Sequence, residues 1–156
     1  MGEMTKSVSE IDTLAPVVGE CAIEIAVAPE VAWDVLAAID RWPSWNPAVK
    51  SVTVEGAIEE GSTFRWKAGP GTITSTIEDL QRPRRMAWTG TSFGIRATHV
   101  HTFEPRYGTT VVTTNESYEG LVARVFKRRL QATLDNALRN GLLRLKAEAE
   151  RSESTT

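Results

Sequence analysis

Apolar and polar residues alternate along seven short segments of the chain, which are separated by glycine, proline and charged residues. In the first segment, Cys21, Ile23 and Ile25 fall on one side of an extended chain, with Glu20 and Glu24 on the other. This alternation is typical of a strand with one buried face. Six more segments share it: VKSVTVEG, STFRWKAG, TITSTIEDL, RRMAWTG, GIRATHVHTFEP and TTVVTTNESY.

Two stretches carry apolar residues at helical spacing instead. The first, PEVAWDVLAAI, begins with Pro29 and is ended by the two prolines of DRWPSWNP. The second begins at Leu121 and continues for about thirty residues. Hairpin connections make neighbouring strands antiparallel, and only the last helix is long enough to cover the sheet. We expect an α+β protein in which a curved, seven-stranded antiparallel sheet wraps around the C-terminal helix, with short helices between strands 1 and 2 and a cavity under the long helix.

The length and composition indicate one domain. The 156 residues are 41% hydrophobic and 24% charged, as in ordinary globular proteins. We expect a flexible tail over residues 1–17, one domain over residues 18–150 and a C-terminal tail over residues 151–156. Cys21 is the single cysteine, so no disulfide forms within the chain. No signal-peptide pattern or membrane-spanning run is present, and the expected location is therefore the cytoplasm, without integral membrane association.

The charge is distributed unevenly. The net charge of −2 gives no reason to expect a nucleic-acid partner. Residues 1–40 carry eight acidic side chains against one lysine, whereas residues 121–151 carry eight basic against three acidic. Because these bases are spread along the segment, a solvated helix face is favoured over a surface for membranes or acidic partners. Nothing in the sequence indicates the oligomeric state.

Strand parity predicts where both histidines point. His99 and His101 share a face with Phe103, the largest apolar residue of that strand, so this face is expected to be the inner one. The same argument in neighbouring strands gives the inner face as Phe64, Trp66, Met86, Trp88, His99, His101 and Phe103. In the last strand the choice is open. We favour the set that contains Tyr118, namely Val112, Thr114, Glu116 and Tyr118, over Val111 and Thr113.

The C-terminal helix is expected to add side chains to the same cavity. A helical wheel centred near Phe126, Leu130, Leu134 and Ala137 places Arg129 and Thr133 at the buried edge, with Val125 nearby. An arginine there can hold a ligand carboxylate or extend its head into water. Gly141 falls on the apolar side, where it is expected to let the helix approach the sheet.

Three kinds of chemistry suit two histidines on an inner face. Metal binding needs a third ligand, which Glu116 or Cys21 supplies only if the fold brings it near; we expect neither a metal nor a cofactor. Acid–base catalysis suits His99, His101, Glu116 and Tyr118, because an imidazole beside a carboxylate in an apolar cavity can move protons next to a carbonyl. The same groups can instead only hydrogen-bond one another or a ligand, which we favour.

Several motifs resemble one protein superfamily. IDRWPSWNPAVKSVTVEG, GSTFRW, RMAWTG, THVHTFEP and ESYEG before a long helix are similar to the START-like, Bet v 1-like (SRPBCC) helix-grip domains. Within them the chain most resembles the polyketide cyclase/dehydrase and lipid transport group, over residues 19–149. The resemblance implies the helix-grip fold and a hydrophobic tunnel between sheet and helix. It implies no metal and no particular reaction.

The expected function is binding of a small, largely apolar molecule of lipid, polyketide or aromatic type. The expected ligand-binding residues are Phe64, Trp66, Met86, Trp88, His99, His101, Phe103, Glu116, Tyr118, Val125, Arg129 and Thr133. One alternative is a polyketide-type cyclase or dehydratase that uses His99, His101, Glu116 and Tyr118. A second is a protein-interaction or co-chaperone-like module that uses the basic helix edge.

Overall fold

A single antiparallel sheet of seven strands forms the centre of the computed structural model, which describes residues 10–155. The strands are β1 (Val17–Ile25), β2 (Val49–Val54), β3 (Thr63–Ala68), β4 (Gly71–Gln81), β5 (Arg85–Ser92), β6 (Ile95–Arg106) and β7 (Thr109–Glu119). Their order across the sheet is β1-β7-β6-β5-β4-β3-β2. Strands β2 to β7 are therefore joined by hairpins between neighbours, and β1 pairs with the last strand.

The helices are α1 (Pro29–Ala37), a 3₁₀ turn (Ile39–Arg41), α2 (Trp42–Trp45), α3 (Leu121–Val125) and α4 (Lys127–Ser154). Seven antiparallel strands, short helices after β1 and a long C-terminal helix confirm the predicted α+β helix-grip fold. The predicted single C-terminal helix is broken at Phe126, whose backbone leaves the helical region. The tail predicted from residue 151 is wrong, because α4 continues through Ser154.

The segment before β1 crosses the outer face of the sheet. The Asp12 backbone N–H donates to the Ser117 hydroxyl over 3.1 Å, and Ser117 is fully buried. A Glu10 carboxylate oxygen lies 3.3 Å from the Arg85 guanidinium. The flexible tail expected over residues 1–17 is therefore wrong for residues 10–17, since Val17 already belongs to β1, and residues 1–9 lie outside the described part of the chain.

Two separate apolar clusters make up the core. In the larger, the rings of Phe64, Trp66 and Trp88 surround Trp42 at centroid distances of 5.6, 5.5 and 5.3 Å. The Trp42 indole N–H donates to a backbone carbonyl of α1, so its burial leaves no polar group unsatisfied. The smaller cluster contains Val17 of β1 with Leu134 and Leu138 of α4, and both clusters are almost fully sealed from solvent.

Helix α4 closes on the sheet at Gly19 of β1. A Cβ atom there would lie 2.8 Å from a Leu138 methyl and 3.1 Å from Leu134. The prediction that Gly141 provides this close approach is wrong, since a Cβ at Gly141 would meet nothing within 4 Å. The predicted helix face is also displaced. Phe126 and Ala137 are exposed, and the buried stripe is Leu134, Leu138, Leu142, Leu145 and Ala149.

Side chains of α4 also bond the free backbone edge of β1. The Gln131 amide donates to the Val18 carbonyl over 2.8 Å, and its oxygen accepts from the Val18 N–H over 3.4 Å. Further along the strand, the Lys146 ammonium donates to the Glu24 carbonyl. These bonds hold the helix along the first edge of the sheet.

Replacement of each of these two glycines by alanine should change stability in opposite directions. Gly141→Ala is expected to raise the free energy of unfolding by about 0.5–1 kcal/mol, because alanine favours the helix and meets no atom. Gly19→Ala is expected to lower it by about 1–3 kcal/mol, because its methyl overlaps two buried leucines. Denaturant titration measures both, and equal effects of the two changes would contradict the packing described here.

Candidate functional site

The register of the sheet brings the predicted polar residues together on its inner face. His99 pairs with Trp88 on one side and Glu116 on the other, and Glu116 in turn pairs with Gly19. One step along, His101 pairs with Thr114. The favoured parity of the last strand is therefore the observed one, and Glu116 shares the inner face with both histidines.

His99 has a polar group close to each of its ring nitrogens. Its Nδ1 lies 3.2 Å from the Glu116 carboxyl oxygen Oε2, and its Nε2 lies 2.6 Å from the Thr114 hydroxyl. Thr114 was absent from the expected site residues. Thr114 lies on the same face of β7 as Glu116. Because each ring nitrogen of a buried imidazole needs a hydrogen-bond partner, a second polar residue on this face could have been predicted beside His99.

The two imidazoles and an indole form a triangular cluster in which each ring contacts the other two. The ring centroids of His99 and His101 are 4.4 Å apart, and the ring of Trp88 lies 4.7 Å from that of His99 and 5.1 Å from that of His101. His101 is only 5% exposed, and its Nδ1 is sealed without a hydrogen-bond partner. An unsatisfied buried nitrogen costs about 1–3 kcal/mol, which a hydroxyl that reached it would recover.

Burial makes the side chains of His99, His101, Glu116 and Tyr118 neutral near pH 7. It lowers the pKa of His101 to about 3, and burial together with the neighbouring His101 holds the pKa of His99 well below its usual value. Burial also raises the pKa of Glu116 to about 8. The pKa of Tyr118 is raised by burial and by the nearby Glu116.

A protonated Glu116 and a neutral His99 limit which groups can donate. A carboxyl O–H that faces Nδ1 requires the imidazole N–H to be at Nε2, where it faces the Thr114 hydroxyl. The opposite arrangement, an imidazolium beside a carboxylate, places two charges in an apolar interior and is disfavoured by the cost of removing them from water. Loss of the carboxyl proton near pH 8 leaves a carboxylate beside His99, so the site holds one proton that it can release.

The inner face is sealed at one end and open at the other. Near α1 the side chains of Phe64, Met86, Phe103 and Val112 are at most 2% exposed. Toward α3 the exposed fraction rises, to 15% for His99 and 14% for Glu116, although both point inward. Tyr118 and Trp66 are also half-buried. These polar residues thus form a partly exposed stretch of the inner face between the two apolar clusters, and we name this stretch, His99, Glu116 and Tyr118, the crevice.

The structure does not bring three of the expected ligand-binding residues to this crevice. Val125 is 66% exposed, and Arg129 and Thr133 are exposed on α4, where the Thr133 hydroxyl bonds the Arg129 carbonyl. The expectation that Arg129 and Thr133 lie at a buried edge is wrong, because the helix turns its leucines toward β1. Tyr118 does reach the inner face and packs beside the smaller apolar cluster.

Two surface grooves lie away from the crevice. One of about 380 Å³ runs between the N-terminal segment and α3, lined by Asp12, Leu14, Glu119 and Leu121. The other, of about 470 Å³, lies on the outer face of the sheet beside Arg85. Within residues 10–155 no three His, Cys, Asp or Glu side chains are grouped as metal ligands would be. No helix in the same range is long and apolar enough to cross a membrane.

A comparison with protein-family models matches residues 17–150, nearly the whole fold described above, to the family described as polyketide cyclase/dehydrase and lipid transport. The chain belongs to this family. The family resemblance inferred from the sequence motifs is thereby confirmed. No curated protein sequence matches the chain.

Solved structures share the fold at low sequence identity. The chain superposes on the di-domain aromatase/cyclase StfQ of the steffimycin pathway with a TM-score of 0.75 and 18% identity, covering 88% of this chain and 52% of that one. The ZhuI aromatase/cyclase from Streptomyces sp. R1128 gives 0.70 at 17% identity, covering 86% and 93%. A START superfamily protein from Mycobacterium smegmatis gives 0.70 at 13% identity, covering 86% and 97%. At these identities the likeness shows the fold.

The buried groups predict a stability maximum near pH 6.5. Below the histidines' usual pKa of 6.5, the unfolded chain takes up protons that folded His99 and His101 do not bind, so stability falls as the pH falls. Between 4.5 and about 8, folded Glu116 keeps a proton that the unfolded chain releases, so stability falls as the pH rises. Above pH 6.5 the loss should stay below about 1.4 kcal/mol per pH unit, the value for one proton, because the unfolded histidines still bind some protons and folded Glu116 ionises near pH 8.

Glu116→Gln tests this assignment, because glutamine copies the protonated acid and cannot ionise. Denaturant titrations between pH 6.5 and 8 should show the alkaline fall for the native protein and none for the variant. Glu104→Gln, at an exposed position of β6, is the matched control and should keep the native profile. An alkaline fall that survives Glu116→Gln would show that another group causes it.

Proposed function

We propose that the protein binds a small, largely apolar molecule with a polar end, in the crevice between the inner face of the sheet and α4. The observation that carries this proposal is the partial exposure of His99 and Glu116 on an inner face that is otherwise sealed. Such a surface offers aromatic contact area and a few fixed polar groups, which is typical of small-molecule sites. We further propose that the protein acts in the cytoplasm, as its sequence indicates.

The polar groups support a neutral ligand. His99, His101 and Glu116 carry no charge near pH 7, so a charged ligand group would gain no ion pair from them and would lose its hydration. A phenol or hydroxyl can donate to an imidazole nitrogen or accept from the Glu116 carboxyl. Trp66 and Trp88 present ring faces and edges beside these groups, so fused aromatic rings fit the site well.

Unfilled space beside Gly141 supports a ligand that extends along α4. Gly141 lies seven residues after Leu134 and four before Leu145, so it shares their face of the helix. An added Cβ there would meet no atom within 4 Å. Glycine is a poor helix former, and its presence at an uncrowded inward position keeps this space empty.

Binding can be tested with β-naphthol, a two-ring phenol, by fluorescence titration. The native protein is expected to bind it, and Gly141→Leu to bind it roughly tenfold more weakly, because the leucine side chain fills the space under α4. Gly141→Ala is the matched control, since its single methyl removes the same glycine while leaving most of the space. Equal affinities of the native protein and Gly141→Leu would overturn the proposed location.

A second candidate function is dehydration of a β-hydroxyketone, as in a cyclase or dehydratase. The observation that favours it is the 3.2 Å approach of the Glu116 carboxyl to His99, with a carboxyl pKa of about 8. As carboxylate, Glu116 would take the proton from the carbon next to the ketone. The released electron pair forms the C=C bond, hydroxide leaves, and the proton held by Glu116 completes a water molecule. His99 would hold the carboxylate in position.

This reaction can be followed with the aldol adduct of acetone and benzaldehyde, whose dehydration product absorbs in the near ultraviolet. Catalysis should rise with pH toward 8 as Glu116 ionises, and Glu116→Gln should lower the rate roughly a hundredfold. The control is again Glu104→Gln. No acceleration by the native protein, with β-naphthol binding intact, would leave ligand binding as the function.

A further inference from the structure

Exposed apolar side chains are concentrated at the α3 end of the molecule. Among residues 10–155, seven large apolar side chains are exposed, and five of these lie at this end. The other two are Tyr107, at the opposite end of β6, and Leu143, midway along α4. We name the five the apolar tip: Leu14, Phe93, Leu121, Val125 and Phe126.

The apolar tip is one continuous surface built from separate segments. Leu14 and Leu121 line the same groove, although more than a hundred residues separate them. The turn that carries Phe93 lies against α3, since a Cβ at Gly94 would be 3.3 Å from a Val122 methyl. The Phe93 ring also lies directly over Gly71 at the start of β4. Three loops and a helix thus present their apolar residues in one direction.

Phe93 occupies a position that costs folding energy. It has φ of 50° in the two-residue turn Phe93–Gly94, where asparagine or glycine is the preferred residue. A bulky side chain at positive φ is strained, and this one is 69% exposed, so it contributes little burial in return. Tyr107, in the turn at the opposite end of β6, is equally strained and exposed, so what distinguishes Phe93 is its position among the other exposed apolar side chains.

The charges around the apolar tip are predominantly positive. Residues 121–134 contain Arg124, Lys127, Arg128 and Arg129 and no acidic residue. Three of these bases stand in the first turn of α4, where the helix dipole favours acidic side chains. Two acids, Asp12 and Glu119, lie in the groove beside Leu14 and Leu121. Like Phe93, the basic residues in the first turn of α4 do not stabilise the folded state at their positions.

We propose that the apolar tip docks on the surface of an anionic phospholipid bilayer. Phe93 and Phe126 enter the interface between head groups and acyl chains, and the bases of α3 and α4 contact lipid phosphates. Single side chains that project from separate segments suit a fluid surface, which deforms around each of them. This inference goes beyond the proposed function, because docking needs no ligand in the crevice. It places the open end of the inner face toward the membrane.

Vesicle co-sedimentation tests the proposal with two matched substitutions. Phe93→Asn and Tyr107→Asn each remove an exposed aromatic residue from a two-residue turn at positive φ, and asparagine is well accepted there, so both variants should fold. The native protein should bind vesicles of phosphatidylcholine with about one-third phosphatidylserine, and should bind pure phosphatidylcholine much more weakly. Phe93→Asn should weaken binding roughly tenfold, and Tyr107→Asn should leave it unchanged.

Further measurements test the contribution of charge to vesicle binding and separate a membrane from a protein partner. Added salt and the double change Lys127→Glu, Arg128→Glu should both reduce binding to the anionic vesicles. Equal binding by Phe93→Asn and Tyr107→Asn, or no vesicle binding by the native protein, would overturn the proposal. Retention of the protein on an acidic polypeptide resin without vesicle binding would assign the surface to a protein partner instead. Failure of β-naphthol binding leaves these outcomes unaffected, because they concern a different surface.

Discussion

The contact of α4 with Gly19 decides where the interior is closed and where it stays open. Because β1 has no side chain at this point, Leu134 and Leu138 can lie directly on the strand backbone. The helix is thereby drawn to the β1 edge of the sheet. It leaves part of the inner face of β6 and β7 beneath open space, although a helix centred over the sheet would cover it.

The polar residues of the site depend on this offset. His99 and Glu116 lie between two sealed apolar clusters, so they are desolvated enough to be neutral and still reachable from the α3 end. Deeper burial would prevent a ligand from reaching them, and fuller exposure would let water restore their charges. Trp42 anchors the sealed end through its ring contacts with Phe64 and Trp88.

The sequence predicts the strands and their inner faces because side chains alternate strictly along a strand, and one large residue such as Phe103 or Trp88 fixes the parity of all the others. The helix face was harder to predict. Ala137 and Leu138 are neighbours in the sequence and lie about 100° apart on a helical wheel, and only the partner surface decides which of them is buried. The sequence also does not tell which of Gly19 and Gly141 allows close packing, because the atoms that surround a glycine belong to another element of the fold. The fold was thus largely predictable, whereas the crevice depends on contacts between distant segments.

The hydrogen bonds from α4 to β1 also affect how readily one molecule can associate with another. An open sheet exposes unpaired backbone groups at its two outer strands, and these groups can recruit a strand from another chain. On β1, the Gln131 amide occupies the N–H and C=O of Val18 much as a neighbouring strand would, and Lys146 occupies the carbonyl of Glu24. The long helix therefore also protects the sheet against strand addition along this edge, so β2 is the edge where aggregation would have to begin.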